Sequence, residues 1–102
     1  MNIEIEQRLL NIVDDYFACK NHFRIITFSS GSPNYDSPFY RYYRDVEITF
    51  HKLSKDEQMV LRYEYFYHHR EGWWRAMFDY DLFTKIREDA VRKFVRLFDE
   101  GH

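Results

Sequence analysis

Apolar residues recur every three or four positions over much of the chain, which is the spacing of amphipathic helices. The first such stripe begins near Ile5 and predicts a helix over residues 2–20. Residues 21–28 contain β-branched and aromatic side chains, and residues 29–36 hold the densest cluster of turn-forming residues. We therefore expect a first helix followed by the main loop of the molecule.

Two further helices have clear start signals. Ser37 precedes Pro38 as an N-cap residue precedes a proline at the first helical position, which predicts a helix over residues 38–52. Ser54 and Glu57 have the spacing of a capping box, in which each side chain accepts the other's free backbone N–H. The residues that follow this capping box predict a third helix over residues 54–69. A short helix or turn is predicted over residues 73–78.

The most regular stripe predicts a last helix over residues 82–98, capped by Asp79 or Asp81. Its core-facing residues are Phe83, Ile86, Ala90, Phe94 and Leu97. The chain has only three Gly and two Pro, and it lacks the Asn-Gly and Asp-Gly pairs of tight hairpins. We therefore predict an all-α fold, a compact helical domain of about five helices.

The size and net charge of the chain limit the number of domains and the ways in which it could bind DNA. A chain of 102 residues suits one domain, which we place at residues 1–99. Residues 100–102 resemble the start of an engineered polyhistidine tag. The net charge of -2 excludes a strongly cationic coat, so any DNA binding must come from a local basic patch.

The sequence lacks the features that are typical of secreted and membrane proteins. The lone Cys19 cannot form an internal disulfide, which favours an intracellular protein. The chain has no charged-then-apolar leader, and none of its apolar runs approaches the ~18 residues of a membrane span. We expect a cytoplasmic protein without membrane contact.

The sequence offers no recognisable catalytic or metal site. His22, His51 and the pair His68-His69 lack the i, i+4 spacing that places two ligands on one helical face. The chain has no Gly-x-Ser-x-Gly turn, and its isolated glycines form neither a Walker loop nor a dinucleotide fingerprint. We therefore predict a non-enzymatic protein without metal or cofactor.

Two segments of the C-terminal half resemble the fourth region of bacterial sigma factors. Residues 53–63, LSKDEQMVLRY, are similar to its opening helix, with a Leu, a helix cap, an acidic residue and a Val-Leu pair in that order. Residues 83–94, FTKIREDAVRKF, are similar to its recognition helix. The resemblance covers residues 46–98, extends to small phage-type transcriptional regulators, and implies a helix-turn-helix that binds double-stranded DNA.

In such a protein the last helix enters the major groove, with its first turns near base edges and later basic residues on phosphates. The N-terminal helix then either buttresses the domain or dimerises it, because palindromic recognition requires two copies. The residues implied are Tyr80, Thr84, Lys85 and Arg87 for the groove and Arg92, Lys93 and Arg96 for the backbone.

Two alternatives stay open at this point. Glu88 and Asp89 have the helical spacing to pair with Lys85 or Arg92, in which case the basic residues form an ordinary solvated face. The crowded aromatic residues of the C-terminal half fill a core or form a groove for a protein partner, since Trp and Tyr dominate interface hot spots. The partner-binding candidates are Trp73, Trp74 and Tyr67.

Overall fold

The chain is all-helical, as the computed structural model of residues 2–101 shows, and this range contains four α-helices and no β-strand. A π-helical turn over Arg62–Phe66 continues the third helix, and a 3-10 helix over Trp73–Ala76 precedes the fourth. The predicted helical class is therefore confirmed, but residues 2–101 contain four α-helices rather than about five, and the short segment predicted over residues 73–78 is a four-residue 3-10 helix. The helices are α1 (Ile3–Ser30), α2 (Pro38–His51), α3 (Lys55–Leu61) and α4 (Tyr80–Glu100).

Helix α1 is longer than its predicted bounds, because it continues through residues 21–30. Phe23 is buried on the inner side of this extension, with ring centroids 5.1 Å from Tyr40 and 5.7 Å from Tyr43. These contacts with α2 outweigh the low helix propensity of the β-branched residues. The helix ends at Ser30 and is capped by Gly31, whose φ of 79° lies in the left-handed region that favours glycine.

The start signals of α2 and α3 are confirmed, but the predicted end of α3 is wrong. Ser54 and Glu57 form both hydrogen bonds of the capping box. The α-helical pattern stops at Leu61, and the chain widens into the π turn, where the N–H of Tyr67 donates to the carbonyl of Arg62. Such turns often occur at functional sites. The α-helix therefore ends at Leu61 and the π turn at Phe66, so the α-helical pattern does not reach residue 69.

The main core lies between α1, α2, the π turn and the C-terminal half of α4. Aromatic edges join these elements, with 5.7 Å between the rings of Phe50 and Phe66 and 6.3 Å between those of Phe66 and Phe94. Burial of each large apolar side chain stabilises the fold by about 1.5–3 kcal/mol. The largest fully buried residues of this core are Phe94, Phe98, Leu9, Ile12, Leu61 and Val46.

A second core is separate from the main one and joins α3, the 3-10 helix and the first half of α4. Its buried residues are Val60, Trp73 and Phe83, and Trp74 stacks on Phe83 with 4.5 Å between ring centroids. Asp79 caps α4 by accepting a 2.7 Å hydrogen bond from the N–H of Leu82, which settles the choice between Asp79 and Asp81. The second core therefore fixes the position of the first turns of α4.

The molecule is elongated, with principal extents of 48 × 29 × 22 Å. Helix α1 accounts for most of the long dimension, because its 28 residues span about 42 Å at 1.5 Å per residue. Within residues 2–101, none of the helices combines the length and the apolar character that crossing a bilayer requires. Glu100 ends α4, whereas His102 lies outside the described residues.

Candidate nucleic-acid interface

The exposed side of α4 carries three of the basic residues named from the sequence. Lys85, Arg92 and Arg96 are exposed, and their spacing places them on one side of the helix, opposite the core-facing residues. Tyr80 is 66% exposed in the first turn. These four side chains are open to a ligand that approaches α4 from solvent.

The other three candidates face neighbouring parts of the protein. The Thr84 hydroxyl and the Arg87 Nε are both buried without a hydrogen-bond partner. The Arg87 guanidinium lies 5.5 Å from the centre of the Phe83 ring. Lys93 donates a 3.3 Å hydrogen bond to the carboxylate of Glu57. These residues therefore border the helix interfaces rather than line the exposed side of α4.

The pair of Lys93 and Glu57 connects α4 to the cap of α3. Burial alone raises the pKa of Glu57, but hydrogen bonds from the backbone and hydroxyl of Ser54 and from Lys93 outweigh it and hold that pKa below its ordinary value. The Glu57 carboxylate is therefore ionised at neutral pH, and it accepts hydrogen bonds both from the cap of α3 and from Lys93 of α4. This network positions α4 relative to α3.

Acidic side chains also lie on the exposed side of α4. Asp81 and Asp89 are exposed and share the side occupied by Lys85 and Arg92. Arg96 lies 4.0 Å from Glu100, in an exposed pair that contributes little to stability. The surface is therefore a narrow line of cations with carboxylates beside it, and it would attract phosphates only locally.

The aromatic candidates differ in their exposure. Trp73 is only 7% exposed, and its indole N–H donates a 2.9 Å hydrogen bond to Glu64. Trp74 is half-buried where it stacks on Phe83. Tyr67 is 56% exposed, and its ring contacts the edge of Phe17. Of the three, Tyr67 is the one that is open to a partner over most of its side chain.

A small open cavity of about 80 Å³ lies beside Tyr67, between α1, α2 and the π turn. Its charged residues are Glu47, which accepts a hydrogen bond from the Tyr16 hydroxyl, and Arg62, whose guanidinium lies 5.3 Å from the centre of the Phe50 ring. Burial and the bond to Glu47 raise the pKa of Tyr16. The apolar walls are formed by Val46, Phe50 and Phe66.

Sequence reasoning did not identify Glu47 and Arg62 as candidate residues. They come from different elements that no short motif connects, and neither periodicity nor capping signals predict the π turn that places Arg62. Only the density of aromatic residues before and after them pointed to this region. Residues 2–101 contain no group of three His, Cys, Asp or Glu side chains arranged to hold a metal ion.

The chain was compared with known protein families, with curated proteins and with solved structures. None of these comparisons found a match. Function must therefore be inferred from the geometry of α4, from its surroundings and from the residue patterns of the sequence.

Proposed function

We propose that this protein is a small DNA-binding transcriptional regulator that inserts the first half of α4 into the major groove. The observation that carries the proposal is the second core, which holds this half between α3 and the 3-10 helix. Lys85 remains on the outer side of α4, and Tyr80 is exposed in the first turn, where its ring lies 6.1 Å from that of Trp74. A helix supported from behind and exposed in front is the arrangement that groove recognition uses.

The order of elements supports the same proposal. The α3 segment and the first turns of α4 correspond to the two stretches that resemble the sigma-factor region, and the 3-10 helix Trp73–Ala76 stands between them. That helix is one short turn, so the support behind α4 comes mainly from the rings of Trp73 and Trp74.

Arg92 and Arg96 follow Lys85 along the exposed side of α4. Base edges would meet Tyr80 and Lys85, while the two arginines would bind phosphates as the helix leaves the groove. Each phosphate contact releases counterions and makes binding sensitive to salt. Since Asp81 and Asp89 lie beside these cations, we expect affinity that depends strongly on the correct sequence.

The experiment is to incubate tag-free protein with pooled genomic DNA fragments over a salt series and to sequence the retained DNA. We expect enrichment of defined sites, which the Lys85→Ala variant should lose. Arg41→Ala is the matched control, because Arg41 is an exposed basic residue of α2 and not of α4. Absence of retained DNA at low salt, or equal loss in both variants, would contradict the proposal.

A second candidate function is binding of a protein partner at the cavity beside Tyr67. The specific observation in its favour is that aromatic walls and two opposite charges, Glu47 and Arg62, meet at one opening. An aromatic anchor from a partner would fit such a site. A photo-reactive residue at position 67 should then cross-link a protein of different sequence, whereas the same residue at the exposed position 35 should not.

A further inference from the structure

One flank of α1 carries a continuous stripe of six residues at alternating steps of four and three, the spacing of a helix-pairing seam. Leu10 and Phe17 are half-buried because they pack partly against the main core, where the Phe17 ring contacts Phe66 and Tyr67, and Phe28 is 90% exposed. The α1 stripe consists of Leu10, Asp14, Phe17, Asn21, Arg24 and Phe28.

The last turns of α1 have apolar residues on two sides. Phe23 faces inward and is covered by the rings of α2, whereas Ile25 and Phe28 face solvent. A helix with apolar residues around its circumference is ordinarily buried, and exposed apolar patches commonly mark interaction sites. The outer side of residues 21–30 therefore has the composition of a covered surface.

The α1 stripe is complementary to itself when two copies run antiparallel and cross at the level of Cys19. Each stripe residue of one copy then lies opposite the residue of the other copy that is the same number of positions from residue 19 in the opposite direction. Asp14 lies opposite Arg24, Leu10 opposite Phe28, and Phe17 opposite Asn21. Two-fold symmetry repeats each pair, so the arrangement contains two opposite-charge pairs and two apolar pairs.

The charges select this arrangement among the alternatives. A parallel pairing in register would place Asp14 against Asp14 and Arg24 against Arg24, which is repulsive. An antiparallel pairing shifted by one heptad in either direction leaves Asp14 and Arg24 without a charged partner across the seam. Only the antiparallel pairing centred on Cys19 matches both charges and also covers Phe28.

We propose that the α1 stripe binds a second copy of this chain, forming a two-fold antiparallel helix pair. Cys19 itself points away from the stripe, since its position is nearly opposite on the helix, so the pairing involves no disulfide. The dimer presents two α4 helices, as a palindromic DNA site requires. The inference stands independently of DNA binding, because it rests on α1 alone.

The test uses charge reversal and sedimentation velocity over a concentration series. Asp14→Arg makes both charged positions of the stripe basic, and Arg24→Asp makes both acidic. Each variant alone should dissociate at least about tenfold more readily than the unmodified protein, which corresponds to ~1.4 kcal/mol. An equimolar mixture of the two should form a heterodimer, because both pairs are then complementary again.

Two controls separate this interface from a general effect of charge or folding. Arg41→Asp makes the same change on an exposed part of α2 and should leave the dimer intact. Phe28→Ser should weaken the dimer without reducing helical content, since the ring is largely exposed. A monomer at every concentration, a dimer that resists both reversals, or a mixture that stays monomeric would overturn the proposal.

Discussion

Aromatic residues of the interior direct their polar atoms at carboxylates on other elements. The Tyr65 hydroxyl donates a 2.7 Å hydrogen bond to Glu6 of α1, and the Trp73 indole donates to Glu64 of the π turn. A buried donor without a partner would cost about 1–3 kcal/mol. These bonds explain how a domain with so many tyrosines places their rings inside while satisfying their polar ends.

The Tyr65→Phe substitution tests this role at a single atom. We expect it to lower the free energy of unfolding by about 2 kcal/mol, because the half-buried Glu6 carboxylate loses its donor. Urea denaturation measures the change. Tyr35→Phe removes the same atom from an exposed ring and should have almost no effect. Equal effects in the two variants would contradict the assignment.

The stability of the protein should fall at alkaline pH. Burial first, and then the hydrogen bond to Glu6, raise the pKa of Tyr65 above its ordinary value of 10.0. Burial likewise raises the pKa of Tyr42 to about 12. Because the unfolded chain releases these protons more readily, stability is complete below pH 10 and declines above it.

Urea denaturation at a series of pH values checks this expectation. In Tyr65→Phe, the decline above pH 10 should be shallower than in the unmodified protein, since one raised pKa is gone. An identical decline in both proteins would show that Tyr65 is not among the responsible groups.

At the scale of elements, local signals determined the helix starts and the end of α2, and failed at the ends of α1 and α3. The side chains of Ser37, Ser54 and Asp79 all cap helices where the sequence placed a cap. The end of α1 depends on rings of α2 packing around Phe23, and the π turn after Leu61 depends on the fit between elements. Contacts between segments distant in sequence cannot be deduced from either segment alone.

Replacement of the α4 cap tests one of these starts. Asp79→Ala should lower the free energy of unfolding by about 1 kcal/mol, because the N–H of Leu82 loses its acceptor. Asp81→Ala is the matched control and should cost only a few tenths of a kcal/mol, through weaker interaction with the helix dipole. A larger loss in Asp81→Ala, measured by thermal or urea unfolding, would place the cap elsewhere.

At the scale of the whole molecule, two separate cores stabilise different parts of the fold. The main core secures α1 and α2 against the C-terminal half of α4, and the second core secures the first half of α4 against α3. Helix α4 belongs to both and connects them. The exposed line formed by Lys85, Arg92 and Arg96 therefore runs along the helix that belongs to both cores.

The candidate interface could be located from the sequence only in part. Periodicity was enough to put Lys85, Arg92 and Arg96 opposite the core stripe of α4. It did not reveal that Arg87 lies against Phe83 or that Lys93 pairs with Glu57, because those contacts depend on neighbouring elements. The α1 stripe was hidden for the same reason, since the extension of α1 to Ser30 requires α2.

The most direct test of the central claim is the salt dependence of binding to a selected DNA site. For each bound copy, two phosphate contacts, by Arg92 and Arg96, would give a slope of log affinity against log salt of roughly -1.8, at about -0.9 per contact. Arg92→Ala should make that slope shallower by about one while Arg41→Ala leaves it unchanged. A slope that is the same in Arg92→Ala and the unmodified protein would contradict an interface along α4.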